Sequence, residues 1–215
     1  MPRARAFDPP SLTLQGLLLL TLWGLPAALL PAGLGPGLRY LSLSLLRYVL
    51  LGALLAREHG RWSAIYLTRR NLRPALSDGL VFALAFVPVA WLYARATLGD
   101  VYWLPPGELP ATLAAALLLA ALPEEVAYRG LFLGSLARMG APVWAQVAVT
   151  SGLFAVQHVR YLLRGDPLTF TLVVAFGVVA AAMTLRRRNL AGAVLAHAAM
   201  NTLIFVFIGG RVGSL

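Results

Sequence analysis

The chain contains no cysteine and no lysine. Without cysteine it can form neither a disulfide framework nor a thiolate metal site, and it has no cysteine nucleophile. Its 18 basic residues are all arginines and outnumber the 8 acidic residues, which gives a formal net charge of +10. In a soluble protein this excess would favour nucleic acid as a partner. Here the arginines lie between apolar segments, so we expect the lipid bilayer as a partner and no nucleic acid.

Charged residues of either sign are scarce as well. They make up 12% of the 215 residues, whereas 60% are hydrophobic, and soluble domains carry about 25% charged residues. Roughly 17 to 25 apolar residues cross a bilayer as a helix, and such runs are too long for barrel strands. We therefore predict an all-α, polytopic transmembrane helical bundle of about seven spans, forming a single integral membrane domain over residues 1–215. The apolar runs lie at 9–38, 40–56, 79–94, 109–123, 139–157, 167–185 and 189–210.

The arginines predict the orientation of the bundle, because short cytoplasmic loops are enriched in basic residues. With seven spans, the N-terminal arginines and the clusters at 57–73 and 186–188 fall on one side. We expect the N-terminus in the cytoplasm and the C-terminus outside. The arginine-only, alanine- and leucine-rich composition favours a prokaryotic plasma membrane. Arg47 within the second span, and Arg160 with Arg164 on the outer side, are exceptions to this pattern.

Two segments allow a second interpretation. The basic start before the first run also fits a secretory signal peptide, but that run exceeds the usual apolar core of roughly 7 to 15 residues, so we expect it to stay attached. The segment 61–74, RWSAIYLTRRNLRP, alternates arginines with apolar and aromatic residues. This pattern is typical of a helix lying on anionic headgroups, although an ordinary basic loop has the same composition.

Two adjacent glutamates, Glu124 and Glu125, stand in LPEEVAYRG, one of the most apolar parts of the chain. An ionised side chain at a helix centre in a membrane costs roughly 2.5 to 3.5 kcal/mol and usually faces a cavity and a partner. Arg129 lies four residues after Glu125 on the same helix face and can neutralise it. Glu124 points about 100° away and is left to act as a general acid or base. A buried ion pair that only fixes helix packing is the alternative. Pro123 predicts a kink or break beside the pair.

Two of the three histidines, His158 and His197, also lie in apolar runs. His197 and Asn201 are four residues apart and present an imidazole and an amide on one helix face. Counted from the turn near Gly140 with the 1.5 Å rise of a helix, Glu124 and His158 lie about 24 and 27 Å deep, which is nearly level. Counted from the arginine turn at residues 186–188, His197 lies only about 13 Å deep. It is thus roughly 10 Å shallower than Glu124 and His158 by this count.

At these residues the chain resembles a known family. EEVAYR at 124–129, FAVQH at 154–158 and HAAMN at 197–201 match the Glu-Glu-x-x-x-Arg, Phe-x-x-x-His and His-x-x-x-Asn motifs of the CPBP family of intramembrane metalloproteases. That family includes the type II CAAX prenyl endopeptidases and the bacterial Abi proteins. Order and spacing also fit. The resemblance covers residues 109–207, the last four spans, where we expect the protease core.

The resemblance implies an intramembrane endopeptidase that hydrolyses a peptide bond of a membrane-associated peptide or protein. Hydrolysis in lipid needs a base, a partner that holds the water, and donors aimed at the developing negative charge. Glu124 would activate the water together with His158. The oxyanion would be stabilised by His197 and Asn201, and the site would be supported by Glu125 and Arg129.

The family name also implies a metal. Glu124, His158 and His197 are a donor set for Zn²⁺ or another divalent metal that leaves an open position for water. The sequence contains no His-Glu-x-x-His helix, however, and the same residues can act on water without a metal. Both routes stay open at this point.

Two other functions fit the same residues. The glutamates and histidines could relay protons in a proton-coupled transporter, although the paired repeats typical of transporters are not evident. A second alternative is a member of the same family that binds a membrane peptide or partner protein without cutting it. Because CAAX prenylation is not expected in a prokaryote, the substrate prediction stays at a membrane-associated peptide or small protein.

Overall fold

The computed structural model describes residues 35–57 and 62–209, and every regular element in that part of the chain is helical. This confirms the predicted all-α class over these residues. A single turn of 3₁₀-helix, Trp62–Ile65, lies between the first two helices. The seven helices are α1 (Pro36–Arg57), α2 (Leu72–Leu98), α3 (Pro106–Arg138), α4 (Val143–Gln157), the short α5 (Arg160–Leu163), α6 (Pro167–Arg187) and α7 (Ala191–Ile208).

Four of these helices, α2, α3, α6 and α7, are long and apolar enough to cross a membrane, which indicates an integral membrane protein. The apolar parts of α1 and α4, Leu41–Ala56 and Val143–Gln157, are shorter. The first predicted span and the signal-peptide alternative fall almost entirely outside the described residues. The count of seven spans therefore stays a prediction.

Helix α7 packs most extensively against α2, because glycines let the two backbones approach closely. A methyl group on Gly79 of α2 would lie 2.7 Å from the carbonyl oxygen of Gly192, and one on Gly192 would lie 2.4 Å from that of Ala75. Small residues at a helix crossing are typical of membrane bundles, where close backbone packing replaces the hydrophobic effect between helices. This crossing fixes the position of α7.

Helix α2 is also tied to the end of α6 by an ion pair. Asp78 accepts hydrogen bonds from the Nε and Nη2 atoms of Arg187 at 2.7 and 3.0 Å, and Arg186 lies 2.6 Å from the same carboxylate. The pair joins the start of α2 to the arginine turn before α7. The two helices that flank α7 are thereby held together at the arginine-rich end of the bundle.

Helix α3 does not break at Pro123 but changes its hydrogen-bond register around it. π-helical segments, Ala116–Ala121 and Val126–Phe132, flank the turn that carries the glutamates. The N–H of Leu122 bonds to the carbonyl of Leu117, five residues back. In this register Pro123 would donate to Leu118 but has no N–H, and the hydroxyl of Tyr48 on α1 donates to that carbonyl instead. π segments within α-helices are frequent at functional sites.

The segment around Ile65 forms a single 3₁₀ turn and an irregular stretch rather than a longer helix, and part of it packs into the protein. Ile65 and Tyr66 are buried against α3. A methyl group on Gly134 would lie 2.4 Å from the carbonyl oxygen of Ala64, and one on Gly130 would lie 3.3 Å from that of Ile65. The two glycines leave a shallow slot in α3, and the chain inserts into it.

Arg47, the charge within the second predicted span, faces the bundle. It lies half-buried on α1, and its charge acts on the buried Tyr128 of α3. An arginine in a membrane span is far less costly when it points into the protein than when it points into lipid.

Candidate active site

The expected site residues come from helices that meet at one depth. Gly130 of α3 packs against Ile65. The next residue in the chain, Tyr66, accepts a hydrogen bond at its carbonyl from the N–H of Leu190 at 3.1 Å. Gly130 and the start of α7 therefore lie at about the same level, and α3 runs on for another eight residues, about 12 Å. This projecting end of α3 accounts for the roughly 10 Å by which counting along the sequence placed His197 too shallow.

Glu125 is the centre of a buried charged cluster. Its Oε1 accepts a hydrogen bond from Nη1 of Arg129 at 3.0 Å, as their spacing predicts, and another from Nδ1 of His197 at 2.8 Å. Arg129 also donates through Nη2 to the carbonyl of Gly177 on α6 at 3.1 Å. Glu125 and Arg129 are 0% exposed and His197 is 3% exposed. Because the carboxylate only accepts, Nδ1 of His197 carries a proton, and in the neutral form of the ring Nε2 is an acceptor.

Glu124 lies on a different face of α3 and is also buried, at 6% exposure. Its Oε2 is 3.9 Å from Nε2 of His197, and its Oε1 accepts a long hydrogen bond of 3.5 Å from Nε2 of Gln157. Within the described part of the chain, Oε2 has no hydrogen-bond partner. A separation of 3.9 Å between two buried polar atoms is too long for a direct hydrogen bond and is of the kind that a water molecule bridges.

His158 and Asn201 complete the set. His158 ends α4, and its Nδ1 lies 2.8 Å from the carbonyl oxygen of Phe154, so Nδ1 carries the proton and Nε2 points away from that carbonyl. The charge of Glu124 acts on its ring. Asn201 is half-buried on α7, one turn beyond His197. The structure thus brings all six expected residues to one region.

Two phenylalanine rings pack around the charged groups. The ring of Phe154 lies 4.3 Å from the guanidinium carbon of Arg129, and its centre is 4.6 Å from the ring of His158 and 5.9 Å from that of His197. Phe176 of α6 is 4.8 Å from the ring of His197. Aromatic faces attract a buried cation, so these rings help to hold Arg129 as well as the two histidines.

Three residues that contact the site were not predicted from the sequence: Gln157, Phe176 and Gly177. Gln157 precedes His158 as a polar residue in an apolar run, and that position was a signal that it belongs to the site. Phe176 and Gly177 gave no signal, because they are ordinary members of the apolar run 167–185 and contribute a ring face and a backbone carbonyl.

The donor set expected for a metal was tested against these positions. In each histidine Nδ1 is engaged and Nε2 is left for another partner, which is the orientation that metal-binding histidines show. Across the described residues, however, no three His, Asp or Glu side chains are arranged to hold a metal ion. Glu124, His158 and His197 therefore do not form a metal site as placed.

Comparison with known families agrees with this geometry. Residues 106–203 match the model of the type II CAAX prenyl endopeptidase Rce1-like family. This region is a domain of that family. All six expected site residues lie within it, whereas α1 and α2 lie before it. A CAAX prenyl endopeptidase domain implies a membrane-embedded protease with a protein or peptide substrate. No curated protein and no solved structure matches the chain.

Proposed function

We propose that this protein is an intramembrane endopeptidase in which Glu124 activates the water that hydrolyses a peptide bond. One observation carries the proposal: the buried Oε2 of Glu124 faces Nε2 of His197 across 3.9 Å. Both atoms are acceptors when Glu124 is ionised and His197 is neutral, so one water between them can donate a hydrogen to each. A water held in this way has its oxygen lone pairs free to attack a substrate carbonyl.

The proton moves between water, Glu124 and the leaving amine. Glu124 takes a proton from the water as the oxygen bonds to the carbonyl carbon, and the carbonyl oxygen becomes an oxyanion. When the tetrahedral intermediate collapses, the C–N bond breaks and Glu124 returns the proton to the amine nitrogen. The products are a free amine and a carboxylic acid, which loses its own proton to solvent, and Glu124 is ionised again. No covalent intermediate with the protein is needed.

One distance favours a change in the histidine role that the sequence implied. His197 is the ring next to Glu124, so we assign it to hold the water. Asn201 donates its amide N–H to the oxyanion, and His158 lines the same site, with its Nδ1 proton directed to the carbonyl of Phe154. Preorganised donors aimed at the oxyanion are usually the largest single contribution to such a reaction.

Glu125 and Arg129 are positioning residues in this proposal. Glu125 selects the tautomer of His197, and Arg129 neutralises Glu125 and ties it to the backbone of α6. Two buried charges with good geometry can be tolerated together, whereas either one alone is strongly destabilising.

The wider setting of the reaction is also part of the proposal. The arginines at the start of α2, at the end of α3 and at residues 186–188 lie at one end of the bundle. By the preference of arginine for cytoplasmic loops, we place that end in the cytoplasm, with the N-terminus on the same side, in a prokaryotic plasma membrane. The substrate is a membrane-associated peptide or protein, and the protease core comprises residues 109–207 within one membrane domain of residues 1–215.

The test compares membranes that contain the wild-type chain with membranes that contain Glu124→Gln, and mass spectrometry identifies new peptide termini in each. Glu108→Gln is the matched control, since this substitution makes the same chemical change at an exposed position in the first turn of α3. We expect termini that are present with wild type and Glu108→Gln and absent with Glu124→Gln. Equal termini in all three, with each protein correctly inserted, would exclude Glu124 as the base and favour the peptide-binding or proton-transport functions.

A further inference from the structure

A groove of about 390 Å³ opens between α2, α3 and α7, outside the charged cluster. Its walls are almost entirely aliphatic, and its volume lies within the range of ligand pockets, roughly 300 to 1,000 Å³. It starts at the arginine-rich end of the bundle and reaches about 9 Å into it along α7. The groove is lined by Leu72 and Leu76 of α2, Leu117 and Leu122 of α3, and Val194 and Leu195 of α7.

The polar groups at the arginine-rich end of this groove are already used within the protein. The side-chain nitrogen of Asn189 donates to the carbonyls of Thr68 and Arg70, and its oxygen accepts from the N–H of Ala191. The carbonyl of Tyr66 accepts from Leu190. A peptide in this groove would leave its backbone N–H and C=O groups unpaired in an apolar environment, which is costly. An acyl chain has no such groups, so the lining favours a lipid tail over a peptide.

Unpaired arginines surround the same end. Arg69, Arg70, Arg73 and Arg188, which we call the arginine rim, are exposed, and none of them makes an ion pair with an acidic residue in residues 35–57 or 62–209. Arg186 and Arg187 differ, because both are paired with the carboxylate of Asp78.

Two further features concern the rim: one places Arg188 beside the groove, and the other adds to the positive potential there. Burial raises the pKa of the Tyr66 hydroxyl at the groove end, and the nearby charge of Arg188 opposes that rise. Helix α2 also starts here, and the positive end of its dipole adds to the attraction for an anion.

We propose that the groove holds one acyl chain of an anionic phospholipid whose phosphate binds at the arginine rim. The aliphatic walls fit the chain, and the unpaired arginines fit the phosphate by charge. Basic residues next to a membrane surface attract anionic lipids by about 1 kcal/mol each. The site is separate from the proposed chemistry, so a lipid can bind whether or not the protein cleaves peptides.

The test measures lipid binding to the full chain purified in detergent, by native mass spectrometry with phosphatidylglycerol and phosphatidylcholine of the same acyl chains. We expect phosphatidylglycerol to bind more tightly. The variant Arg70→Gln with Arg188→Gln should lose this preference, by about fivefold per arginine. Arg160→Gln changes an exposed arginine at the start of α5; it is the control and should bind as wild type. Equal binding of both lipids, or equal effects of the rim and control variants, would overturn the proposal.

A second pair of variants tests the groove itself. Leu76→Trp fills it and should weaken phosphatidylglycerol binding, whereas Leu84→Trp on the outward face of α2, 64% exposed, should not. If both variants bind lipid as wild type does, the phosphate sits on the surface without a chain in the groove, and the proposal fails.

The absence of cysteine allows a direct identification of the occupant. A single Leu76→Cys can be labelled with a benzophenone and irradiated in membranes that contain phosphatidylglycerol. An adduct with the mass of the lipid is expected. An adduct with a peptide, either of a substrate or of the chain itself, would assign the groove to that peptide and overturn the lipid proposal.

Discussion

His197 and Arg129 donate hydrogen bonds to the same oxygen of Glu125, at 2.8 and 3.0 Å. One carboxylate oxygen thus joins a residue of α7 to a residue of its own helix, and Arg129 extends the link to the backbone of α6. Glu125 has no exposed surface, so it cannot bind substrate directly in this arrangement. Its effect on chemistry has to pass through His197, and the stability of the cluster becomes measurable apart from activity.

Arg129→Leu should destabilise the protein strongly, because it leaves the Glu125 carboxylate buried without its cation. Loss of one partner of a buried ion pair typically costs about 3 to 5 kcal/mol. Adding Glu125→Gln to Arg129→Leu should restore part of that loss, since the uncompensated charge is then removed. The free energy of unfolding in detergent measures both effects, with Arg160→Leu as the control for loss of an exposed arginine. A double variant whose loss equals the sum of the two single losses would show that the two groups do not interact.

His197→Asn should abolish cleavage while it largely preserves the fold. The amide of asparagine can replace Nδ1 toward Glu125, but it has no group at the position of Nε2, which faces Glu124. Loss of one acid–base or water-holding group typically lowers the rate by about 10² to 10⁴. The measurement is the rate of appearance of the new termini, beside a thermal unfolding curve. Wild-type activity in His197→Asn would exclude Nε2 from the reaction and return the water-holding role to His158.

Metal chelation should leave cleavage unchanged, because the described side chains do not gather three donors around one point. Membranes treated with 1,10-phenanthroline and untreated membranes would be compared for the same termini. A loss of activity that added Zn²⁺ restores, and added Mg²⁺ does not, would contradict the metal-free mechanism. Glu124, His158 and His197 would then have to approach one another more closely in the active protein.

Gly192→Ala should destabilise the bundle by about 1 to 3 kcal/mol, which is typical of overpacking. The added methyl group would lie 2.4 Å from the carbonyl oxygen of Ala75, and a backbone atom cannot move aside without shifting α2 or α7. Because His197 lies on α7, the same shift should lower activity. Gly152→Ala on α4 is the control: nothing lies within 4 Å of its added methyl group. Equal stability of the two variants would mean that the α2–α7 crossing is looser than described.

Local relationships were the part of the site that could be predicted from the sequence. The spacing of Glu125 and Arg129 predicted their ion pair. The three motifs predicted the family for residues 109–207, and the match over residues 106–203 confirms that family. The contact between Glu125 and His197 spans 72 residues, and counting along helices placed those residues at different depths. No pattern in the sequence indicates that the chain near Ile65 packs into a slot on α3, or that α3 extends beyond its neighbours.

The fold shows the same division. Apolar runs located α2, α3, α6 and α7, because the length and composition of a span are properties of the segment itself. The response of α3 to Pro123 was not predictable, because a proline can kink, break or shift the register of a helix, and the outcome depends on what other helices supply. Here a hydroxyl from α1 replaces the missing donor.

The Tyr48 hydroxyl limits how far the protein can be shortened without loss of its structure and function. The region of family resemblance begins at residue 106, yet the carbonyl of Leu118 accepts its hydrogen bond from Tyr48, well before that boundary. A fragment trimmed to the matched region would expose an unpaired carbonyl to hydrocarbon six residues before Glu124, where no water can replace the lost donor. Helix α1, which lies before the matched region, thus stabilises the part of α3 that leads to the Glu-Glu-x-x-x-Arg motif.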